Sequence, residues 1–254
     1  NYLDFDKIDG DPIGDLYEIF GSSNVKYDQG QFFTPIVAIK LLIEIINPKK
    51  NELIIDPACG AGGFLYFAIK HLIKNNLKKD KIISQIYGIE KDETLSNMSN
   101  IHLSILLNNP ANIVCADSIK KVDLNGKNLS KKFTENFDII LSNPPFGKKI
   151  ISAEDKLRKD FDLSYKWNLE NGKFKKTNVL QKRTPPQILF LENIIRSLKE
   201  EGRAGIVIPE SLISTTQNFY ISDYLLRNCK IMAVIGMPED LFKTSGKGGT
   251  HTKT

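Results

Sequence analysis

The sequence predicts an α/β protein built on an open, doubly wound, mostly parallel sheet. Short apolar runs alternate with helical stretches along the chain, as in strand–helix–strand units. Three of those runs end in an acid, at Asp56, Glu90 and Asp117. A fourth, Asp138-Ile139-Ile140-Leu141-Ser142, stops at Asn143-Pro144-Pro145-Phe146. Two prolines, with no N–H and a fixed φ, end any ladder there. In open α/β sheets the carboxyl edge of the strands is where ligands bind.

Composition narrows the class. A chain of 254 residues, 41% hydrophobic and 26% charged, is ordinary for a globular protein with a sizeable core. No apolar run nears the roughly 18 to 20 residues needed to span a bilayer, and no signal peptide is visible. Cys59, Cys115 and Cys229 are odd in number and lack metal-ligand spacing, and His71, His102 and His251 are scattered. A disulfide framework or a metal site is therefore not expected, and a reducing cytoplasm fits. The net charge of +5 permits a polyanionic partner without requiring one. The chain opens on Asn1 and closes on Gly-Gly-Thr-His-Thr-Lys-Thr, which reads as a piece of a longer protein, truncated at both ends.

The elements follow in order. Ile13, Leu16, Tyr17 and Phe20 share helical spacing, so residues 1–29 read as a linker and short helix leading from a further N-terminal domain. In Gln29-Gly30-Gln31-Phe32-Phe33-Thr34-Pro35, Thr34 is a plausible N-cap with Pro35 at the first position of a helix over 36–46. Leu53-Ile54-Ile55-Asp56-Pro57-Ala58-Cys59-Gly60-Ala61-Gly62-Gly63 is strand, glycine-rich turn and helix start. The turn is not a G-x-x-x-x-G-K loop, and an acid beside it is unsuited to phosphate. A carboxylate at a strand end suits a cationic amine instead. Ile86 to Glu90 is a second strand, with Asp92 capping a helix through Met98, Ile101 and Ile105, and 112–117 is a third. Glu90 lies somewhat further on than the roughly 20 residues usual for an acid that takes a ribose.

The chemistry open to the Asn-Pro-Pro-Phe corner is narrow. The Asn143 side-chain carbonyl and the Pro144 carbonyl can both accept hydrogen bonds, and Phe146 offers a flat apolar face. Two convergent acceptors beside a ring suit a planar amine, and keep its lone pair aimed at an electrophile. Taken alone, the stretch is equally a strand-ending turn with a core ring.

In combination these stretches resemble a known family. Gly30-Gln31-Phe32-Phe33-Thr34-Pro35, Asp56-Pro57-Ala58-Cys59-Gly60-Ala61-Gly62-Gly63-Phe64, Tyr87-Gly88-Ile89-Glu90 and Asn143-Pro144-Pro145-Phe146 look like the motifs, in order, of a Rossmann-like S-adenosylmethionine-dependent DNA methyltransferase acting on the N6 amine of adenine. The nearest resemblance is to the modification (M) subunit of type I restriction-modification systems. It implies that Asp56, Ala58, Gly60, Gly62 and Gly63 hold the methionine part of S-adenosyl-L-methionine, helped by Phe33 and Thr34. Glu90 would take the ribose hydroxyls and Asp117 the adenine amine of the cofactor. Asn143, Pro144 and Pro145 would hold the target amine, with Phe146 stacked on a base flipped out of double-stranded DNA. Ala61 stands where related enzymes often have Ser, and Phe146 where Tyr is also common. Both exchanges keep what the site needs. Partners implied are a separate specificity subunit and a restriction nuclease subunit.

The remaining chain fits this expectation. Residues 148–185 form a basic insertion, beginning at Lys148 and Lys149, with Phe161, Tyr165, Trp167 and Phe174 interleaved. Such a run is usually a solvated face; after a target-binding corner it reads as a DNA-facing loop. A helix is expected over 186–199, a fifth strand over 204–209, a helix over 219–227 and a sixth strand over 231–238. Phe242 is either core or the opposite wall of the base pocket. Residues 30–254 then form the catalytic domain, expected to transfer a methyl group from S-adenosylmethionine to adenine N6. Rival readings are an amino-methyltransferase acting on RNA guanine or protein glutamine, and a non-catalytic cofactor-binding subunit.

Overall fold

Strands apolar on both faces belong inside a covered parallel sheet. β1 (Ile54–Asp56) is such a strand, buried along its whole length. The computed structural model describes residues 34–145, 155–238 and 241–242. These fall into two compact units, one of 34–143 with Ser197–Ile206, the other of Pro144–Arg196 and the residues from Val207 onward.

In the first unit β1 is flanked by β2 (Ile86–Glu90) and β5 (Phe137–Ser142), both parallel to it. β3 (Asn112–Asp117) continues beyond β2, and β8 (Leu198–Ile206) beyond β5, again parallel. A short antiparallel β4 (Val122–Asp123) closes the β3 edge. The order is thus β4-β3-β2-β1-β5-β8. It reverses direction between β1 and β5, the switch point at which such sheets bind ligands.

The helices of this unit follow from their sequences. α1 (Ile36–Ile46) has the expected bounds, buries Ala38, Ile39, Ile43 and Ile46, and rests Leu42 and Ile46 against Gly205 of β8. α2 (Gly63–Lys74) is apolar on nearly every side and is buried from Phe64 to Ile69. α3 is the short turn Lys79–Ile82. α4 (Glu93–Leu107) is capped as expected, Asp92 Oδ1 accepting from the Leu95 N–H at 2.9 Å. Its buried face, however, is Leu95, Ser96, Ser99, His102, Leu103, Leu106 and Leu107, while Ile101 and Ile105 face solvent. At Gly88 of β2 a side chain would meet Ile113 Cδ1 at 2.6 Å and Leu65 Cδ1 at 2.9 Å, so a larger residue there would have to displace both side-chain ends.

β8 departs from expectation. The preceding helix ends at Ser197, and the charged run Lys199-Glu200-Glu201-Gly202-Arg203 is part of the strand. Leu198 pairs with Phe137 and Arg203 with Ile139, so the charges bulge out between two ladder positions. Lys199 Nζ bonds Asp138 at 2.9 and 3.0 Å, and Arg203 grips Glu52 through two bonds of 2.9 Å.

The second unit contains α5 (Asp155–Arg158), β6 (Tyr165–Glu170), β7 (Lys173–Leu180), α6 (Pro186–Ser197), α7 (Ser211–Ser214) and α8 (Phe219–Asn228). The stretch expected to be a basic loop is therefore an antiparallel hairpin over 165–180. Its turn is Asn171-Gly172, both at positive φ (50° and 74°), as a two-residue hairpin demands. Trp167 stacks on Tyr220 at 6.1 Å and meets Tyr224 edge-on at 6.3 Å. Phe161 is buried under Arg196. Phe161 and Trp167 thus serve packing, while Lys166, Lys173 and Lys175 are exposed on the hairpin. Residues 231–238 are not a strand: they lie outside regular structure, with Met232 77% and Val234 74% exposed. An apolar run becomes a strand only when an edge pairs with it, and among the described residues none does.

Candidate active site

The carboxyl edge at the switch point begins with Asp56, 1% exposed at the end of β1. Its Oδ1 accepts from the Ala58 N–H and from the Ser142 hydroxyl, each at 2.9 Å. Burial pushes the carboxyl up, the bonds from Ala58 and Ser142 pull it down, and the Glu90 charge lifts it again, leaving it at about 7. Ser142 closes β5 two residues before Pro144 and is fully buried. Sequence reading passed over it; the signal was a hydroxyl at the end of an otherwise apolar strand beside an acid-ending one.

The glycine turn is built around Glu90. Glu90 Oε2 accepts from the Gly60 N–H and Oε1 from the Asp92 N–H, both at 2.8 Å. Burial raises its carboxyl too, against the pull of those amides. Gly62 sits at φ +89°, where an added Cβ would lie 2.7 Å from Ser99 Oγ. Cys59 is buried at 3.7 Å from Ser99, and burial, with Asp56 and Glu90 nearby, pushes its thiol well up, so it stays protonated and inert.

Asp117 differs. Its Oδ1 accepts from the Ile119 and Lys120 amides at 3.0 Å, and Oδ2 pairs with Lys91 Nζ at 3.0 Å near solvent. On the other side of β1, Asn143 follows β5. Its Nδ2 donates to Thr34 Oγ1 at 3.0 Å, and its Oδ1 is buried with no hydrogen-bond partner among the described residues.

The ladder β5-β1-β2-β3 therefore sets Asn143, Asp56, Glu90 and Asp117 at the ends of four adjacent strands. Thr34, Ala58, Gly60, Gly62 and Gly63 belong to the same unit. Pro144 and Pro145 continue the chain into the other unit. Phe242 is buried, 2% exposed. Phe33, Phe146, Lys148 and Lys149 lie outside the described residues. Among the described residues no group of three or more His, Cys, Asp or Glu could hold a metal ion, and no helix is long and apolar enough to cross a membrane.

Residues 8–249 match the family model described as N-6 DNA Methylase. The chain belongs to that family. The methylase subunit of the type I restriction enzyme EcoEI from Escherichia coli is 30% identical over 236 residues, covering 91% of this chain and 43% of the relative. That of the enzyme MpnII from Mycoplasma pneumoniae is 30% identical over 253 residues, covering 95% and 44%. The chain thus spans less than half the length of these curated relatives. Among solved structures, the type I restriction-modification methyltransferase subunit from Streptococcus thermophilus superposes with a TM-score of 0.58 at 22% identity, over 89% of this chain and 45% of that one. The Rossmann-like α/β fold and the N-6 DNA methylase family read from the four motifs both hold.

Proposed function

We propose that the full-length protein transfers a methyl group from S-adenosyl-L-methionine to the N6 amine of adenine in DNA, as the modification subunit of a type I restriction-modification system. The observation that carries this reading is the buried Asn143 Oδ1, which has no hydrogen-bond partner among the described residues and follows the strand beside that of the buried acid Asp56. An unpaired buried acceptor costs on the order of 1–3 kcal/mol. Such a group is kept where a donor arrives from outside, and an amine N–H is such a donor.

The edge also fits the cofactor. A row of carboxylates repels phosphate and suits a ligand carrying an amine and hydroxyls. Asp56 balances the cofactor's ammonium group, which draws the carboxyl into its ionised form. Glu90 has lone pairs beyond those given to Gly60 and Asp92, and these take ribose hydroxyls. Asp117 accepts from the adenine amine, and Ala58, Gly60, Gly62 and Gly63 bring backbone close to the methionine part, with Phe33 beside it. When bound, the cofactor supplies an electrophilic methyl on a sulfonium. The chain's own part is positioning and lone-pair exposure. Asn143 and the Pro144 carbonyl accept the two N–H bonds of the target amine, Pro145 stiffens the corner and Phe146 stacks on the flipped base.

In this reading residues 30–254 are the catalytic region and 1–29 lead in from a further domain. The exposed lysines of the hairpin, with Lys148 and Lys149, face DNA. A specificity subunit reads the sequence, a nuclease subunit joins, and the assembly works in the cytoplasm. The test is expression of the full-length protein with its neighbouring subunits in a host without N6-methyladenine, followed by methylation mapping. N6-methyladenine at one defined sequence is expected, falling about 10²–10³-fold in rate on Asn143→Ala. Methyl label in RNA or protein, or cofactor binding with no transfer at all, would overturn the reading.

A further inference from the structure

Thr34 stands where the sequence predicts a helix cap, yet α1 begins without one. Its N-cap is Pro35, and no side-chain cap bond is made among the described residues. The threonine hydroxyl meets Asn143 instead, across 109 residues of sequence. The carboxamide is held at one end, by Nδ2 donating to Thr34 Oγ1, and is open at the other, where Oδ1 has no partner among the described residues. An asparagine side chain can present either end, two donors or one acceptor, by turning about its last bond. Turned over, it would offer N–H groups to an incoming amine that is itself a donor, and the two would repel. In the facing the structure shows, the Thr34 hydroxyl accepts from the NH₂, which leaves the carbonyl for the amine.

We propose that Thr34 is a positioning residue for the target amine: its hydroxyl oxygen holds the Asn143 NH₂ so that the carbonyl faces the amine. This inference rests on the amine-methyltransferase reading above, and it gives Thr34 a task toward the target in place of the cofactor contact expected from the motif. It also explains why a Thr-Pro pair precedes the helix in a sequence where the cap goes unused. The threonine is anchored by α1, which packs on β8, the neighbour of β5. The hydroxyl that meets Asn143 is thereby held in place by the sheet's own packing.

The test uses the full-length protein with the subunits it needs and a duplex carrying the site found by methylation mapping. Single-turnover transfer of a tritiated methyl group and calorimetric cofactor affinity are measured for Thr34→Val and Thr34→Ser. Valine keeps the shape and removes the acceptor; serine restores it. Thr34→Val is expected to slow transfer about tenfold or more while changing the cofactor Kd by less than about twofold, and Thr34→Ser to recover the rate to within about threefold. Thr34→Ala removes the same hydroxyl and is read in the same way should the valine variant fail to fold. Wild-type rates in the variants lacking the hydroxyl, or a loss confined to cofactor affinity, would overturn the positioning role alone. A wild-type protein that binds cofactor and methylates no DNA would overturn the functional reading and this inference together.

Discussion

Asp56 and Asp117 carry the same signature in the sequence, an acid closing an apolar strand, and the fold makes different groups of them. Asp56 is sealed between β2 and β5, accepts from a serine hydroxyl, and is pushed up to about 7. Asp117 lies one strand beyond Glu90, its side chain 19% exposed and its second oxygen paired with a lysine that is 74% exposed. Strand order makes the difference. The central strand of the sheet is covered on both sides, whereas β3 has only the two-residue β4 beyond it. A buried charge without water interacts strongly with any cation offered to it, while one near solvent is screened. Under the proposed function, the β1 end of the edge would concentrate the binding energy and the β3 end would orient the ligand.

Substitution tests that contrast directly. Asp56→Ala is expected to weaken S-adenosylmethionine binding by about 100-fold or more, and Asp117→Ala by no more than about fivefold, as measured by calorimetry on the full-length protein. Equal losses would show that burial does not rank the two acids. At the small end, Lys91→Ala removes the partner of Asp117 and is expected to change stability in chemical denaturation by less than about 0.5 kcal/mol, because the lysine is 74% exposed and Asp117 keeps its two backbone amides. A loss of several kcal/mol would show that the β3 end is structurally coupled after all.

Much of the site-bearing edge was legible in the sequence, because strand ends announce themselves. Apolar runs terminate at Asp56, Glu90, Asp117 and Asn143, and the strands end where those residues predict. What failed to show has physical reasons. Thr34 carries every local mark of a cap, but its hydroxyl is used on a residue distant in sequence, which no window can see. The charged run before Arg203 reads as loop on polarity, yet it bulges from a strand whose ladder resumes on either side. Residues 231–238 read as a strand on apolarity, and pairing, not apolarity, decides that. The hairpin at Asn171-Gly172 was there to be read: lysines on alternate positions masked an Asn-Gly turn between aromatic-bearing strands.

The most direct test of the account is the pH dependence of cofactor affinity, set beside the stability of the empty protein. The Asp56 carboxyl lies near 3.8 when unfolded and about 7 when folded. Raising pH across that window ionises the unfolded chain first. Asp56 therefore costs the empty fold nothing below about pH 4, and increasingly more up to about pH 7, on the order of 4 kcal/mol in total. Asp56→Asn removes that cost, so the variant should be more stable than wild type at pH 8 and alike near pH 4. A bound cation holds the carboxylate ionised, so S-adenosylmethionine affinity should rise about tenfold per unit between pH 5 and 7 and level off above, with proton release on binding. In Asp56→Asn the profile should be weak and flat. A wild-type affinity independent of pH, or an Asp56→Asn profile that keeps the wild-type slope, would contradict the assignment of the buried β1 acid as the anchor of the site.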